Sequence, residues 1–259
     1  MPRCPECPPN AVKSWAALAA ATLLASTGCG SIDPSATDEQ DSRANGVDCE
    51  VRLDVLSTAR LHDIRIEEPT SKRIGAQEKI RHLNELGLLP EEMLATFRER
   101  SMFIALTGGT VVNFSEFRAL RGTSPRGWEG TGLTWDSVPG TGNAKGVYLG
   151  DSSRPNNAWS LAIHEATHSV DLAVGFSRRS AELQRLYREE LARAAVVGDT
   201  NAAYRRSNIE EFLAVAVDEL RCSTKTRTNL QRRYPAMYRY LSSSFEAELR
   251  ATRSTAPSP

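Results

Sequence analysis

The run SLAIHEATHSVD, residues 160–171, constrains this chain more than any other stretch. His164 and His168 stand four residues apart, Glu165 follows the first, and the whole sequence holds only four histidines. On an α-helix that spacing is one turn plus about 40°, so both imidazoles leave the same side. Each can give one ring nitrogen to a single tetrahedral Zn²⁺. Glu165 flanks the same face, from which it can take the proton of a metal-activated water attacking a carbonyl. The plainer reading is an amphipathic helix with two ordinary histidines. Two histidines at that spacing with an adjoining glutamate make a sharp coincidence in so histidine-poor a chain. The apolar WSLAI ahead of them predicts a helix held rigidly in the core.

A catalytic zinc site takes three protein ligands and leaves a fourth position open. The extended motif with a further histidine six places after His168 fails, because position 174 is Val. Asp171 lies on the site face but less than a turn beyond His168, a poor place from which to close a tetrahedron. It reads as a supporting acid beside the ligands or as a helix-surface acid. The remaining source is a later helix, YRRSNIEEFLAVAVDEL, residues 204–220. Ser207 or Asn208 caps it, and Glu210 and Glu211 lie in its first turns, where acids also suit the helix dipole. Ile209, Phe212, Leu213 and Ala216 form its apolar stripe. Spacing alone does not choose between Glu210 and Glu211.

Together, HEATHSVD and YRRSNIEEFLAVAV resemble the catalytic domain of the anthrax-lethal-factor-like zinc metallopeptidases. That family includes secreted bacterial proline-specific endopeptidases. The resemblance runs from about Pro125 to Leu249 and is strongest at the two motifs. In the family, a His-Glu-x-x-His helix followed by Val-Asp supplies two ligands and the base. A tyrosine then precedes the glutamate ligand in a Tyr-x-x-x-Asn-x-x-Glu-Phe pattern. Tyr204, Asn208, Glu211 and Phe212 fit that pattern in register. The resemblance therefore implies Glu211 as the third ligand of one Zn²⁺ per chain, Glu165 as base, and Tyr204 as a donor to the oxyanion. It implies a peptide or protein substrate and an α+β, zincin-like fold, with a small mixed sheet, an active-site helix and a mainly helical C-terminal half. It also places a peptide-binding edge at Gly146, Val147 and Tyr148. One position departs from the pattern: Val215 stands where such enzymes often carry an acid that orients a ligand histidine. Asp171 and Asp218 are the acids available to substitute.

The N-terminus sets the context. Arg3 and Lys13 precede WAALAAATLLAST, which is shorter than the ~20 apolar residues of a spanning helix and fits a secretion signal. The following LASTGCGS resembles the lipobox of bacterial lipoproteins, with Cys29 as the lipidated residue, although Ser26 occupies a usually aliphatic place. The expected organisation is a signal at 1–28, a flexible tether at 29–48, the peptidase domain at 49–252 and a disordered tail at 253–259. The expected location is outside the cytoplasm, as an outer-membrane or cell-surface lipoprotein anchored through Cys29, or else as a secreted protein. Cys49 and Cys222 are then the pair left in an oxidising compartment, read either as a disulfide or as two buried thiols. Thirty-two basic residues balance thirty-two acidic ones, so no global field points to nucleic acid, and a monomer is expected. The rival function is a catalytically silent zincin-fold surface lipoprotein that acts as a binding or toxin-like module.

Periodicity predicts helices over residues 76–86 and from Pro90, then strands in MFIAL and TVVNF. Residues 122–146, rich in Gly, Pro and Trp, read as one long loop, followed by a short strand in VYL. Helices are predicted over 157–174, 180–197, 208–221 and 235–250.

Overall fold

The computed structural model describes residues 49, 56–125, 132–151, 159–194, 196, 199 and 201–256. The signal-like run, Cys29 and the expected tether lie outside them. The chain begins with α1 (Leu56–Ala59), β1 (Arg65–Glu67), α2 (Ala76–Gly87), α3 (Glu91–Glu99) and β2 (Phe103–Thr107). Two short strands follow, β3 (Gly140–Asn143) and β4 (Gly146–Gly150). The remainder is helical: α4 (Leu161–Val174), α5 (Phe176–Arg179), α6 (Ala181–Ala192), α7 (Ala202–Arg205), α8 (Ile209–Cys222), α9 (Thr224–Arg233), α10 (Pro235–Ser243) and α11 (Phe245–Thr255). This is the expected α+β arrangement, a small mixed sheet followed by helices.

Among the described residues the sheet has the order β1-β2-β4-β3, parallel except for the antiparallel β3–β4 pair. Successive side chains in a strand face opposite ways, and both faces of this sheet are covered. Ile104, Leu106, Val147 and Leu149 pack towards α4 with Ala162, Ile163, Ala166 and Val170 in the main core. Phe103, Ala105 and Tyr148 face the other way, against Val111, Val112, Phe114 and Trp135. That double burial explains why β2 and β4 read as unbroken apolar runs. Helix α8 packs across α4 and is buried almost all round from Glu211 to Leu220.

Several expectations are corrected. Gly146, Val147 and Tyr148 do not lie at an edge, because β4 has β2 on one side and β3 on the other. Among the described residues the free edge beside α4 is β3, Gly140–Asn143, inside the stretch read as a loop. TVVNF, residues 110–114, forms a 3₁₀ turn over Val111–Asn113 rather than a strand, and a second 3₁₀ turn, Ser115–Leu120, follows it. Gly109, at φ +87°, turns the chain there, and the Asn113 amide donates to the Gly108 carbonyl at 2.7 Å. The helix expected over 180–197 ends at Ala192, and that over 235–250 breaks into α10 and α11 at Ser244. Helix α11 continues to Thr255, past the expected start of the tail, with Arg253 Nη2 paired to Glu92 of α3 at 2.9 Å. Cys49 and Cys222 are joined as a disulfide that ties the start of the domain to the end of α8.

Candidate metal centre

Helix α4 is fixed at its amino end by acids from two other helices. The Ser160 hydroxyl accepts the Ile163 N–H at 3.1 Å and donates to Glu85 of α2 at 2.7 Å. Asp218 of α8 accepts the N–H groups of Trp159 at 2.7 Å and Ser160 at 2.9 Å. The Ile163 N–H of the first turn and the two N–H groups just ahead of the helix are thereby satisfied. At the other end Gly175 takes the left-handed conformation, φ 66°, that ends the helix without a side-chain penalty. Helix α8 opens with Asn208, whose side chain accepts the Glu211 N–H at 2.7 Å. Its first turn thus lies against the histidine face of α4.

His164 Nε2 and His168 Nε2 are 3.1 Å apart, and Glu211 Oε2 lies 3.1 Å from the first and 3.2 Å from the second. A tetrahedral zinc with bonds of about 2.0–2.1 Å separates its ligand atoms by roughly 3.3–3.4 Å. The three atoms already form that triangle to within a few tenths of an ångström. Two imidazoles and one carboxylate are also the donor types that zinc takes. These residues fit the ion. Glu210, the alternative left open by spacing, is half-buried and outside the triangle.

The electrostatics agree with the geometry. Burial opposes charge on Glu211, but the His168 and His164 rings outweigh it and hold its carboxyl well below the usual range. Burial likewise opposes a charged His168, but Glu211, Glu165 and Asp171 outweigh it and push the imidazole up to about 9. For Glu165 burial wins and raises the carboxyl, against the lowering effect of His164 and His168. The Gly142 N–H of the β3 edge also bonds to that carboxylate. No side chain fits at Gly142, since a Cβ there would lie 2.3 Å from the Glu165 carbonyl oxygen. Tyr204 stacks near His164 with its hydroxyl 3.2 Å from Nε2. Burial, with Glu211 and Glu165 nearby, raises its phenol well above the ordinary value, so the hydroxyl keeps its proton.

The surrounding acids act elsewhere. Asp171 Oδ1 accepts the Ser177 N–H at 2.6 Å and reaches His168 only through its charge. Asp218 serves the start of α4, and Val215 is a buried apolar residue. His164 Nδ1 is buried with no hydrogen-bond partner among the described residues. Sequence reasoning missed Gly142 and the Glu85–Ser160–Asp218 anchor. Gly140 and Gly142, two apart in GTGN, were the signal for a strand pressed against another element.

Residues 68–244 match the family described as anthrax toxin lethal factor, N- and C-terminal domain. The chain belongs to this family. It is 32% identical over 164 residues to a Pro-Pro endopeptidase of Paenibacillus alvei, covering 62% of this chain and 74% of that protein. It is 28% identical over 163 residues to a Pro-Pro endopeptidase of Clostridioides difficile, covering 61% of this chain and 72% of that one. The solved structure of the Pro-Pro endopeptidase from Paenibacillus alvei superposes with a TM-score of 0.60 at 28% identity, over 72% of this chain and 98% of that one. The lethal-factor match contains all three donor residues and Tyr204.

Proposed function

We propose that this lethal-factor family member is an exported zinc endopeptidase, with His164, His168 and Glu211 as the metal ligands. The observation that carries the proposal is the triangle of donor atoms 3.1–3.2 Å apart, flanked by Glu165 and Tyr204. A zinc ion there supplies a Lewis acid that polarises a carbonyl and makes water acidic enough to react near neutral pH. Glu165 takes a proton from the attacking water and returns it to the leaving amine. Its burial-raised carboxyl suits both steps. Tyr204 keeps its own proton and donates a hydrogen bond to the oxygen on which charge develops. An extended peptide lies along the free edge of β3, beside Glu165. The names of the relatives point to a bond between two prolines as the first to test. Cleavage outside the cytoplasm, with Cys29 lipidated, accords with the signal-like run and with the Cys49–Cys222 disulfide.

Metal analysis and cleavage of a peptide containing adjacent prolines, in wild type and Glu165→Gln, test the reading. Equimolar zinc is expected in both, and loss of cleavage by about 10²–10⁴-fold in the variant. A wild type without zinc ends the proposal. The silent-module reading is favoured by one observation, the buried His164 Nδ1 without a hydrogen-bond partner among the described residues. It predicts bound zinc and no cleavage of any peptide.

A further inference from the structure

We infer that Arg205 is a positioning residue for Tyr204: its buried guanidinium, clamped by Glu219, Asp199 and Tyr234, fixes the single helical turn that holds the tyrosine hydroxyl beside His164. This rests on the reading of Tyr204 as the oxyanion donor. The turn that carries the tyrosine, Ala202–Arg205, has four residues, too few for its own hydrogen bonds to hold it. Within the site Tyr204 is tethered through its hydroxyl and a stacked contact with His164. Successive residues of a helical turn diverge by about 100°, and Arg205 points away from the site into the core, with no exposed surface.

There Arg205 Nη2 lies 2.8 Å from Glu219 Oε2, and Nε lies 3.5 Å from Asp199 Oδ2. The guanidinium carbon stands 4.2 Å from the centre of the Tyr234 ring. Asp199 accepts the Tyr234 hydroxyl and also the N–H of Asn201 at 2.9 Å, at the start of the same turn. Both acids are buried as well. Burying an ion pair contributes little net stability, and its better-attested use is to fix a register. The Arg205 nitrogens and Glu219 Oε2 make no aligned hydrogen bond among the described residues, so the clamp is charge attraction together with the flat guanidinium lying over the Tyr234 ring. Glu219 stands eight residues after Glu211 on one helix. The helix that supplies the third donor atom therefore also sets the height of Tyr204 above it.

The test combines local amide exchange with a double-mutant cycle. In Arg205→Lys, amides of residues 201–206 are expected to exchange faster while residues 161–174 keep their protection. With the peptide of adjacent prolines, kcat falls about tenfold and KM stays within about twofold, because the lost contact acts on the transition state. Added to Tyr204→Phe, the same substitution lowers kcat no further. Glu219→Gln keeps the shape of its side chain and leaves Asp199 to balance the arginine, so it serves if Arg205→Lys fails to fold. It is expected to give the same pattern at smaller size. Unchanged exchange at 201–206, or losses of kcat that multiply with Tyr204→Phe, overturn the inference. A wild type that cleaves nothing removes the proposed activity, while the exchange measurement still decides whether Arg205 holds the turn.

Discussion

Asp218 and Ser160 are joined by a backbone-to-carboxylate hydrogen bond of 2.9 Å that spans 58 positions and fixes one helix of the candidate site to the other. Its second oxygen takes the Trp159 N–H at 2.7 Å. In Asp218→Ala both amides lose their acceptor at the buried start of the histidine helix. A loss of about 3 kcal/mol is expected from two unsatisfied donors, read as a lower urea midpoint. An unchanged midpoint means that water or a neighbour replaces the carboxylate.

Glu211→Ala and Glu210→Ala should behave oppositely. The first removes a donor atom, and zinc affinity is expected to fall by more than about a hundredfold, beyond the usual effect of losing a supporting partner. The second leaves the triangle intact and should bind zinc as wild type does. Competition with a chromogenic chelator measures both.

Protonation of His168 gives the metal-free protein a defined pH response. Its imidazole stands near 6.5 when unfolded and about 9 when folded. A raised basic group stabilises the fold fully below pH ~6.5 and loses that contribution as pH climbs towards ~9, on the order of 3 kcal/mol at most. Chelator-treated protein should therefore unfold at lower urea as pH rises through that window, and His168→Gln should flatten the trend. With zinc present the slope reverses, because the metal takes the deprotonated ring. Parallel slopes with and without zinc would exclude His168 as a ligand.

Gly142→Ala tests the contact between sheet edge and helix. The added methyl would meet the Glu165 carbonyl oxygen at 2.3 Å and Ser169 Oγ at 2.6 Å. Either β3 or the helix must shift, with an expected cost of about 2 kcal/mol and a lower kcat from a displaced Glu165. Wild-type stability and activity would place the edge further from the helix.

The legible parts were those written in local spacing. His164 and His168 share a helix face by their separation, and Asn208 marks the start of the second helix through its own side chain. Glu211 required the resemblance, because two adjacent acids in a first turn look alike until the partner helix is in place. The β3 strand was illegible since GTGN has little intrinsic strand preference and pairs because β4 lies beside it. TVVNF misled in the opposite sense. Its apolar residues belong to the core under the sheet, with the Val111 N–H bonded to the Val138 carbonyl at 3.0 Å rather than to a ladder. Helix α9 was passed over because TKTRTNLQRR carries little apolar periodicity; its Ser223–Thr226 capping box starts it and Leu230 anchors it in the core.

Strand β3 is four residues long, which at about 3.3 Å per residue gives a ledge of roughly 13 Å. A polypeptide laid along such a ledge is gripped by its main chain over about four residues. On the proposed reading, targets must therefore offer a short extended segment standing clear of their own fold, such as a linker between domains. Sequence preference has to come from the side chains within that brief window, and a folded protein with no such segment is out of reach.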